Sequence, residues 1–396
     1  MLAALVTAAA LACGQTTHVT IALWALDRVE DPELAALVRD PEVRAALISG
    51  AMFPDGGYSP LVNHPYGEIA HWEPFQLALL DTLVERGPTF EGDDRKRVAF
   101  LLGLAAHGIA DQGFDAAYLT RADTEDAGAP RAESADTETD VAFAGEVGGL
   151  LVEERWVPYD ELIPVFASQG IDVDQDTMEL GMASLDLAIL YVANAGELPD
   201  RVAQAHQNWP WATSHLTDPS VPGSPALLQD VVARYWEVLW RRLRQLPVDD
   251  RFVLAVWPGP YDVPQDALVS VVFGRALDEA TIEAPGVVSV SADGTPLGVE
   301  PWMYYGQASN VLNVRPTDPW VADSAHDLTV AAGVTTFDGW TLPADLVLTF
   351  STGAAPADPA VTGDPSGCGC ATGGAPGWAG LLAAWAWLRP RRRSRS

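Results

Sequence analysis

Hydrophobic residues recur every three to four positions through the first part of the chain. Such spacing places apolar side chains on one face of a helix and therefore predicts α-helices. The period is clearest in five segments, 67–85, 95–119, 143–155, 174–194 and 224–246. A polar, acidic stretch with Gly and Pro, residues 121–139, predicts a loop between helices. We therefore expect residues 13–248 to form an all-α domain.

The pattern changes after residue 250 to short segments in which apolar and polar residues alternate. These segments are 251–256, 268–273, 286–291, 327–331 and 345–350. Alternation predicts strands, and several short strands separated by turn residues predict a β-sandwich. The predicted fold is therefore multidomain, with an all-α domain followed by an all-β sandwich at 250–353. Residues 354–366 are rich in Ala, Pro, Asp and Thr, which predicts an extended linker.

Both ends of the chain carry segments typical of export. Residues 1–12 contain an apolar run that stops before Cys13 and predict a signal peptide. The usual basic residues before this run are missing, so a buried first helix is the alternative. Residues 367–396 combine Gly-Cys-Gly-Cys, an uncharged stretch and five arginines, which predicts a short membrane anchor with a cytoplasmic basic end. A loose C-terminal helix is the alternative. We expect an exported protein, secreted or anchored at the outer cell surface.

Charge and cysteine content limit the partners and the kinds of metal site that we expect. The net charge of −31 repels polyanions, so we expect no nucleic-acid partner. All three cysteines lie in terminal segments, which excludes a disulfide framework and a cysteine-based zinc site from the body of the chain. A metal bound there would have to be held by histidine and carboxylate.

Histidines and aspartates with metal-ligand spacing occur in the helical part. His107, Asp111 and Asp115 are four residues apart and lie on nearly the same face of a predicted helix. A core histidine beside two solvated aspartates would explain one such pair. The rest of this helix is apolar on most sides, however, and burying carboxylates there costs several kcal/mol unless they meet a cation or a partner. The pattern therefore favours a metal site, and further candidates are His18, Asp55 and His71.

From Cys13 to about Pro247 the chain resembles the zinc-dependent phospholipase C and glycosylphosphatidylinositol-specific phospholipase D family. The resemblance rests on a Cys-Gly-x-x-Thr-His start, PDGGY, HWEPF, VAFLLGLAAHGIAD and RWVPYDEL, in the order of the family. It implies a helical domain that binds a cluster of zinc ions in a cleft and hydrolyses phosphodiesters with metal-activated water.

Two weaker resemblances concern the C-terminal part. Residues 264–353 resemble bacterial immunoglobulin-like domains, which are usually spacers or adhesion units, and no catalytic cluster is visible in them. The tail at 367–396 resembles the C-terminal sorting tails of myxobacterial surface proteins, which implies a sorting protease as a partner.

The family resemblance implies one complete zinc site made by Asp55, His71, His107 and Asp111, since imidazole and carboxylate together suit zinc. A second site would use His18 and be bridged by Asp111. The mature N-terminal residue of relatives adds its amine and carbonyl there, which implies Cys13 as a ligand if cleavage occurs before it. Acylation of the Cys13 amine would abolish that ligand, so the two interpretations compete.

A third site departs from the family pattern. Asp115 stands where the family has histidine, and Glu133 and Asp136, with Asp140 as a further candidate, replace another. Such an all-oxygen site prefers Ca²⁺, Mg²⁺ or Mn²⁺ over Zn²⁺. The resemblance thus implies two or three metal ions, with altered or lost activity if the third stabilises the leaving oxygen.

Other residues receive smaller roles. Tryptophan prefers the membrane interface, so a lipid-facing rim could be formed by Trp72, Trp156, Trp209 and Trp211. Core packing explains single tryptophans equally well. We expect His64 to lie in a loop and His326 to be incidental.

We therefore expect an exported metal-dependent phosphodiesterase with Asp55 as general base, acting on phospholipid or glycolipid at a membrane surface. Whether cleavage is of the C or D type stays open. One alternative is a single-strand nuclease of the same fold, which the acidic charge disfavours. Another is a catalytically impaired surface binding or adhesion protein.

Overall fold

The computed structural model describes residues 14–248, 251–305 and 308–354. The helices that position the site are α1 (Gln15–Ala25), α2 (Pro32–Val38), α3 (Arg44–Met52), α4 (Tyr66–His71), α5 (Glu73–Val84) and α6 (Asp93–Gly113). The later ones are α7 (Thr120–Glu125), α8 (Ala135–Val147), α9 (Tyr159–Ser168), α10 (Gln175–Gly196), α11 (Pro199–Asn208), α12 (Pro225–Leu243) and the short α13 (Glu279–Ile282). The predicted class, helices followed by antiparallel sheets, is confirmed.

Two local predictions were wrong. The predicted helix at 143–155 is instead α8, which ends at Val147 because Gly148 follows with a positive φ of 95°. The predicted loop at 121–139 contains α7 and the start of α8. Ser134 begins α8 by accepting a hydrogen bond from Thr137 N, a local capping signal within a segment that otherwise looks like a loop.

α6 forms the centre of the helical region. Its second half is apolar on most sides and entirely buried, from Val98 to Gly113. α3 crosses it closely, because both helices have glycine at the contact. A Cβ on Gly103 would lie 2.1 Å from Leu47 O, and one on Gly50 would lie 2.1 Å from Phe100 O. This close crossing brings the end of α3 against the metal-ligand face of α6.

The α-helical geometry of α6 changes at its C-terminal end. Residues Phe114–Leu119 form a π-helix, so Asp115 lies in a wider turn than His107 and Asp111. Such turns are frequent at functional sites because they re-aim a side chain. The three residues therefore do not continue one regular helical face.

α10 is long and apolar enough to cross a membrane by length and composition, a property that core helices share. Its buried residues lie three to four positions apart along one face and pack against the helical core: Met178, Gly181, Met182, Leu185, Ile189 and Val192. The helix is therefore one wall of the domain.

Eight strands form two four-stranded antiparallel sheets. They are β1 (Val253–Trp257), β2 (Val269–Phe273), β3 (Val288–Ala292), β4 (Thr295–Leu297), β5 (Val299–Met303), β6 (Val311–Pro316), β7 (Ala325–Val330) and β8 (Leu346–Ser351). The sheet orders are β1-β2-β6-β5 and β4-β3-β7-β8. The alternating pattern predicted five of these strands and missed β4, β5 and β6. The missed β4 and β5 contain proline, which weakens the strand signal.

The first sheet has two buried faces. On β2, Val271 and Phe273 pack into the core between the sheets, whereas Val272 packs into the helical core together with Val311 of β6. All five residues of β2 are buried for this reason. The β-sandwich is thus fastened directly to the helices, and the described residues of both belong to one compact unit.

Three predicted segments lie outside the described residues. These are the signal peptide at 1–12 with Cys13, nearly all of the linker at 354–366, and the anchor at 367–396. The immunoglobulin-like character of the sandwich stays a prediction.

Candidate metal centre

Asp55 lies in a 3₁₀-helix, Phe53–Tyr58, that follows α3 directly. Its turn fits against α4 because Gly57 and Gly67 face each other. A Cβ on Gly57 would lie 2.3 Å from Gly67 N, which leaves no room for any side chain. The close approach fixes the fully buried Asp55 carboxylate beside His71 at the end of α4.

The rings of His71 and His107 are each oriented by a backbone carbonyl. His71 Nδ1 lies 2.6 Å from Gly67 O, and His107 Nδ1 lies 2.8 Å from Ala51 O near the C-terminus of α3. A carbonyl can only accept, so both Nδ1 atoms carry the proton that is donated. In the neutral rings, both Nε2 atoms therefore present lone pairs, as is usual for metal-binding histidines.

These lone pairs point to one location. His71 Nε2 and His107 Nε2 are 3.0 Å apart, and Asp55 Oδ1 lies 3.5 Å from the first and 3.7 Å from the second. Asp55 Oδ1 is buried and accepts no hydrogen bond from any described residue. Three acceptor atoms thus converge on one location. The only donor available among the three is a proton carried by one of the two imidazole rings. A cation satisfies all three.

His18 extends the cluster from α1. Its ring stacks on that of His107 with centroids 3.7 Å apart, and its Nε2 lies 3.6 Å from Asp111 Oδ1. His18, Asp55 and His107 each offer a ligand atom within 4.8 Å of the others. His18 and Asp111 therefore form the second part of the centre, whereas Cys13 lies outside the described residues.

Burial and mutual charge set the protonation of the centre. Burial raises the pKa of Asp55 and raises that of Asp111 to about 6. Burial lowers the pKa of His71, but Asp55 and Asp111 outweigh this and raise it to about 9. Burial, together with the charges of His18 and His71, depresses the pKa of His107. Without a metal, the pair of imidazoles therefore holds its proton on His71.

The oxygen ligands predicted for a third site do not all come together. Asp115 is buried, and the half-buried Asp136 lies near enough for Asp115 and Asp111 to add to the effect of burial and raise its pKa further. Glu133 is exposed, with only its backbone carbonyl engaged, by Trp209 Nε1. The prediction of Glu133 as a ligand is not supported by this placement, because the side chain is solvated.

Asp140, a further candidate ligand for the third site, instead accepts hydrogen bonds from the start of α1. Its Oδ1 accepts hydrogen bonds from Thr17 N and Thr17 Oγ1, both at 2.8 Å, and its Oδ2 accepts one from Thr16 N at 3.2 Å. The two amide groups are free backbone donors of the first turn of α1. Asp140 therefore ties α1, and with it His18, to α8.

Sequence reasoning missed four residues in or beside the centre, namely Gln15, Tyr58, Glu68 and Tyr305. Gln15 Nε2 donates to Asp55 Oδ2. Glu68 accepts from Tyr58 OH at 2.5 Å and from Trp72 Nε1 at 2.9 Å. Tyr305 OH, from the β-sandwich, donates to Asp115 Oδ2. Only Glu68 had a local signal, since it lies three residues before His71.

Two members of the predicted tryptophan rim, Trp72 and Trp209, are buried. Trp72 is buried against Tyr305 of the sandwich, with ring centroids 4.9 Å apart, and Trp209 is buried under Arg131. Both rings are covered by protein and cannot face a lipid. Trp156 and Trp211 are partly exposed, so a lipid-facing role stays a prediction for them.

The remaining histidines lie away from the centre. His64 Nδ1 accepts a hydrogen bond from Tyr66 N in the predicted loop. His206 and His215 contact Thr213 and Trp211 O, respectively. His326 is buried in the sandwich, stacked on Phe350.

The donor set fits zinc at the nitrogen-rich part. Two imidazoles with Nδ1 fixed by carbonyls, an orphaned carboxylate oxygen and a third imidazole nearby are the ligand types that zinc prefers. The chain also matches the family described as zinc dependent phospholipase C over residues 17–112. The match contains His18, Asp55, His71, His107 and Asp111.

Curated relatives match part of the chain. The phosphatidylinositol-glycan-specific phospholipase D of Rattus norvegicus is 28% identical over 172 residues, which are 39% of this chain and 20% of the relative. The Mus musculus protein of the same name is 35% identical over 106 residues, 25% of this chain and 13% of the relative. The chain thus spans a fifth or less of these relatives.

A solved structure, the S-layer protein rSbsC, aligns with 82% of this chain and 46% of its own. The sequence identity is 12% and the TM-score 0.21, so this likeness carries no structural argument.

Proposed function

We propose that the chain is a metal-dependent phosphodiesterase of the phospholipase C or D type. The observation that carries the proposal is the convergence of His71 Nε2, His107 Nε2 and Asp55 Oδ1 in a buried cluster within the zinc-dependent phospholipase C match. Phospholipids or glycosylphosphatidylinositol-type lipids are the proposed substrates. The names of the curated relatives support the second of these.

Asp55, His71, His107 and Asp111 would hold one zinc ion, and His18 with Asp111 would contribute to a second. Zinc bound there supplies Lewis acidity towards phosphate oxygens and lowers the pKa of water. The −31 charge of the chain makes this local positive charge necessary for binding an anionic phosphodiester.

Other groups of the chain orient the proposed ligands and accept the proton. Gln15 holds the Asp55 carboxylate by donating to Oδ2, which leaves Oδ1 facing the two imidazoles. Asp55 Oδ1 is the proposed acceptor of the proton from the attacking water. Gly67 O and Ala51 O orient the two rings and exclude the tautomer that would turn a proton into the site.

Export and surface anchoring are proposals that rest on the sequence of the two ends. The apolar run before Cys13 and the Cys, apolar and Arg order of 367–396 support them. A sorting protease acting on the tail belongs to this proposal.

Purified full-length protein, loaded with zinc, should hydrolyse bis-p-nitrophenyl phosphate and a phosphatidylcholine or glycosylphosphatidylinositol substrate. His71→Asn should abolish this, whereas His206→Asn, an exposed histidine of the same domain, should not. Hydrolysis of single-stranded DNA but not lipid would support the nuclease instead. Bound zinc below about one equivalent, with no hydrolysis under any divalent metal, would contradict the proposal.

A further inference from the structure

Tyr305 lies between β5 and β6 of the sandwich, yet its hydroxyl reaches the helical region. The phenol donates a hydrogen bond to Asp115 Oδ2 across a sequence separation of 190 residues. Asp115 is the residue that stands in the family position of a third-site ligand. A side chain from the β-sandwich thus lies where the third ion would bind.

The Tyr305 ring is held in place by its neighbours. Trp72 packs edge-on against it with centroids 4.9 Å apart, and Tyr304 does so at 4.8 Å. Trp72 is itself fixed by its hydrogen bond to Glu68. The ring therefore has aromatic contacts on the helical side and the sandwich side.

The end of the same loop is fastened to the helices that carry the metal ligands. Asn310 N and Ser309 Oγ donate to Gln112 Oε1 at 2.6 and 3.1 Å, and Gln112 follows Asp111 in α6. Asn310 Nδ2 donates to Glu73 Oε2 at 2.9 Å, and Glu73 lies two residues after His71 in the chain. These buried contacts fix Ser309 and Asn310 relative to the centre.

The residues left for a third ion are too few. Asp140 is engaged by α1, Glu133 is exposed, and Asp115 Oδ2 accepts from Tyr305. Asp136 and Asp115 Oδ1 remain, whereas a structural zinc takes four ligands and calcium six to eight oxygens. The described residues therefore do not fit a third ion.

Resting on the proposed function, we propose that Tyr305 takes the place of the third metal ion, so that the centre works with two ions. Its hydroxyl satisfies Asp115 Oδ2 where a cation would otherwise be needed, and the β-sandwich becomes a structural part of the catalytic centre. Tyr305 is in this sense a positioning residue, since it acts through Asp115.

The test is a metal count on full-length protein. The chain is stripped with a chelator and reloaded with Zn²⁺, and Mn²⁺ is then titrated as the probe of an oxygen-rich position. We expect two equivalents of Zn²⁺ and no Mn²⁺ in the wild type and in the control Tyr304→Phe, since among the described residues the Tyr304 hydroxyl makes no hydrogen bond to Asp115. Tyr305→Phe should gain one weaker Mn²⁺, and Tyr305→Phe combined with Asp115→Asn should lose it again.

A third ion in the wild type, or no added ion in Tyr305→Phe, overturns the inference. If Tyr305→Phe does not fold, wild-type crystals soaked in Mn²⁺ decide the matter. Phenol density on Asp115 without an anomalous peak supports the inference, and a peak there overturns it.

Hydrolysis is assayed separately on the same samples. Two ions without hydrolysis contradict the proposed function alone, and three ions with hydrolysis contradict this inference alone.

Discussion

Helix α6 and the π-helix that continues it contribute to two parts of the centre that are built in opposite ways. On the first side, His107 meets His71 and Asp55, and every ring is oriented by a backbone carbonyl so that lone pairs converge. On the second side, beyond the start of the π-helix, Asp115 meets Asp136 and the hydroxyl of Tyr305. We call these the nitrogen-rich side and the oxygen-rich side.

The difference shows how a buried polar cluster can be satisfied in two ways. On the nitrogen-rich side, the converging atoms His71 Nε2, His107 Nε2 and Asp55 Oδ1 share no donor besides one proton, so a cation stabilises them most. The oxygen-rich side has a donor from the protein itself. The number of histidines alone therefore does not set the number of ions expected, because a hydrogen-bond donor such as Tyr305 OH can satisfy a buried carboxylate in place of a cation.

The largest expected effect is on the nitrogen-rich side. His107→Asn removes a ligand atom and the ring on which His18 stacks, so several kcal/mol of transition-state stabilisation should disappear, about 1000-fold in kcat/KM. Steady-state kinetics on bis-p-nitrophenyl phosphate measure it. His206→Asn is the matched control. Retention of near-wild-type rate in His107→Asn would refute the role of this side.

The protonation of the same side predicts a pH dependence of the metal-free chain. The folded state holds the His71 proton up to pH about 9, while the unfolded chain releases it near the ordinary value of about 6.5. Because the folded state then binds more protons, stability should fall as pH rises from 6.5 to 9, by about 3 kcal/mol. Asp115 and Asp136, with pKa values raised mainly by burial, act in the same direction.

Chemical denaturation with chelator measures this fall, and bound zinc should abolish it because zinc replaces the proton. A metal-free chain whose stability is constant or rises between pH 6.5 and 9 would contradict the assigned hydrogen bonds.

Asp140→Ala should separate α1 from the centre. The free donors of Thr16 and Thr17 lose their acceptor, at a cost of about 1–3 kcal/mol, and His18 is no longer held in place. Zinc affinity at the second position should fall together with the melting temperature. Ser134→Ala is the control, because it removes the cap of α8 but not the tie to α1. Equal loss of zinc in both variants would count against this role for Asp140.

The smallest effect belongs to the oxygen-rich side. Asp136→Asn removes one of several close buried carboxylates, so the metal-free chain should gain up to about 1 kcal/mol at pH 8 while hydrolysis stays within about threefold. Thermal melting and the same kinetic assay measure both quantities. A 100-fold loss of activity would show that Asp136 holds an ion after all.

The sequence allowed the fold class to be predicted, and it favoured a metal site near His107 and Asp111, because the signals for both are local. His107 and Asp111 are one helical turn apart, and the helix around them is too apolar to leave carboxylates unpaired. The role of Tyr305 could not be predicted, since it depends on the packing of the β-sandwich against α6. Asp140 looked like a ligand for the same reason: its distant partners, Thr16 and Thr17, become adjacent only on folding.

The most direct test of the central claim is an anomalous difference map of zinc-loaded crystals recorded at the zinc edge. We predict one peak coordinated by His71 Nε2, His107 Nε2 and Asp55 Oδ1, a second beside His18 and Asp111, and none at Asp115. A map without a peak between His71 and His107, with the two rings still joined by a hydrogen bond, would contradict the account.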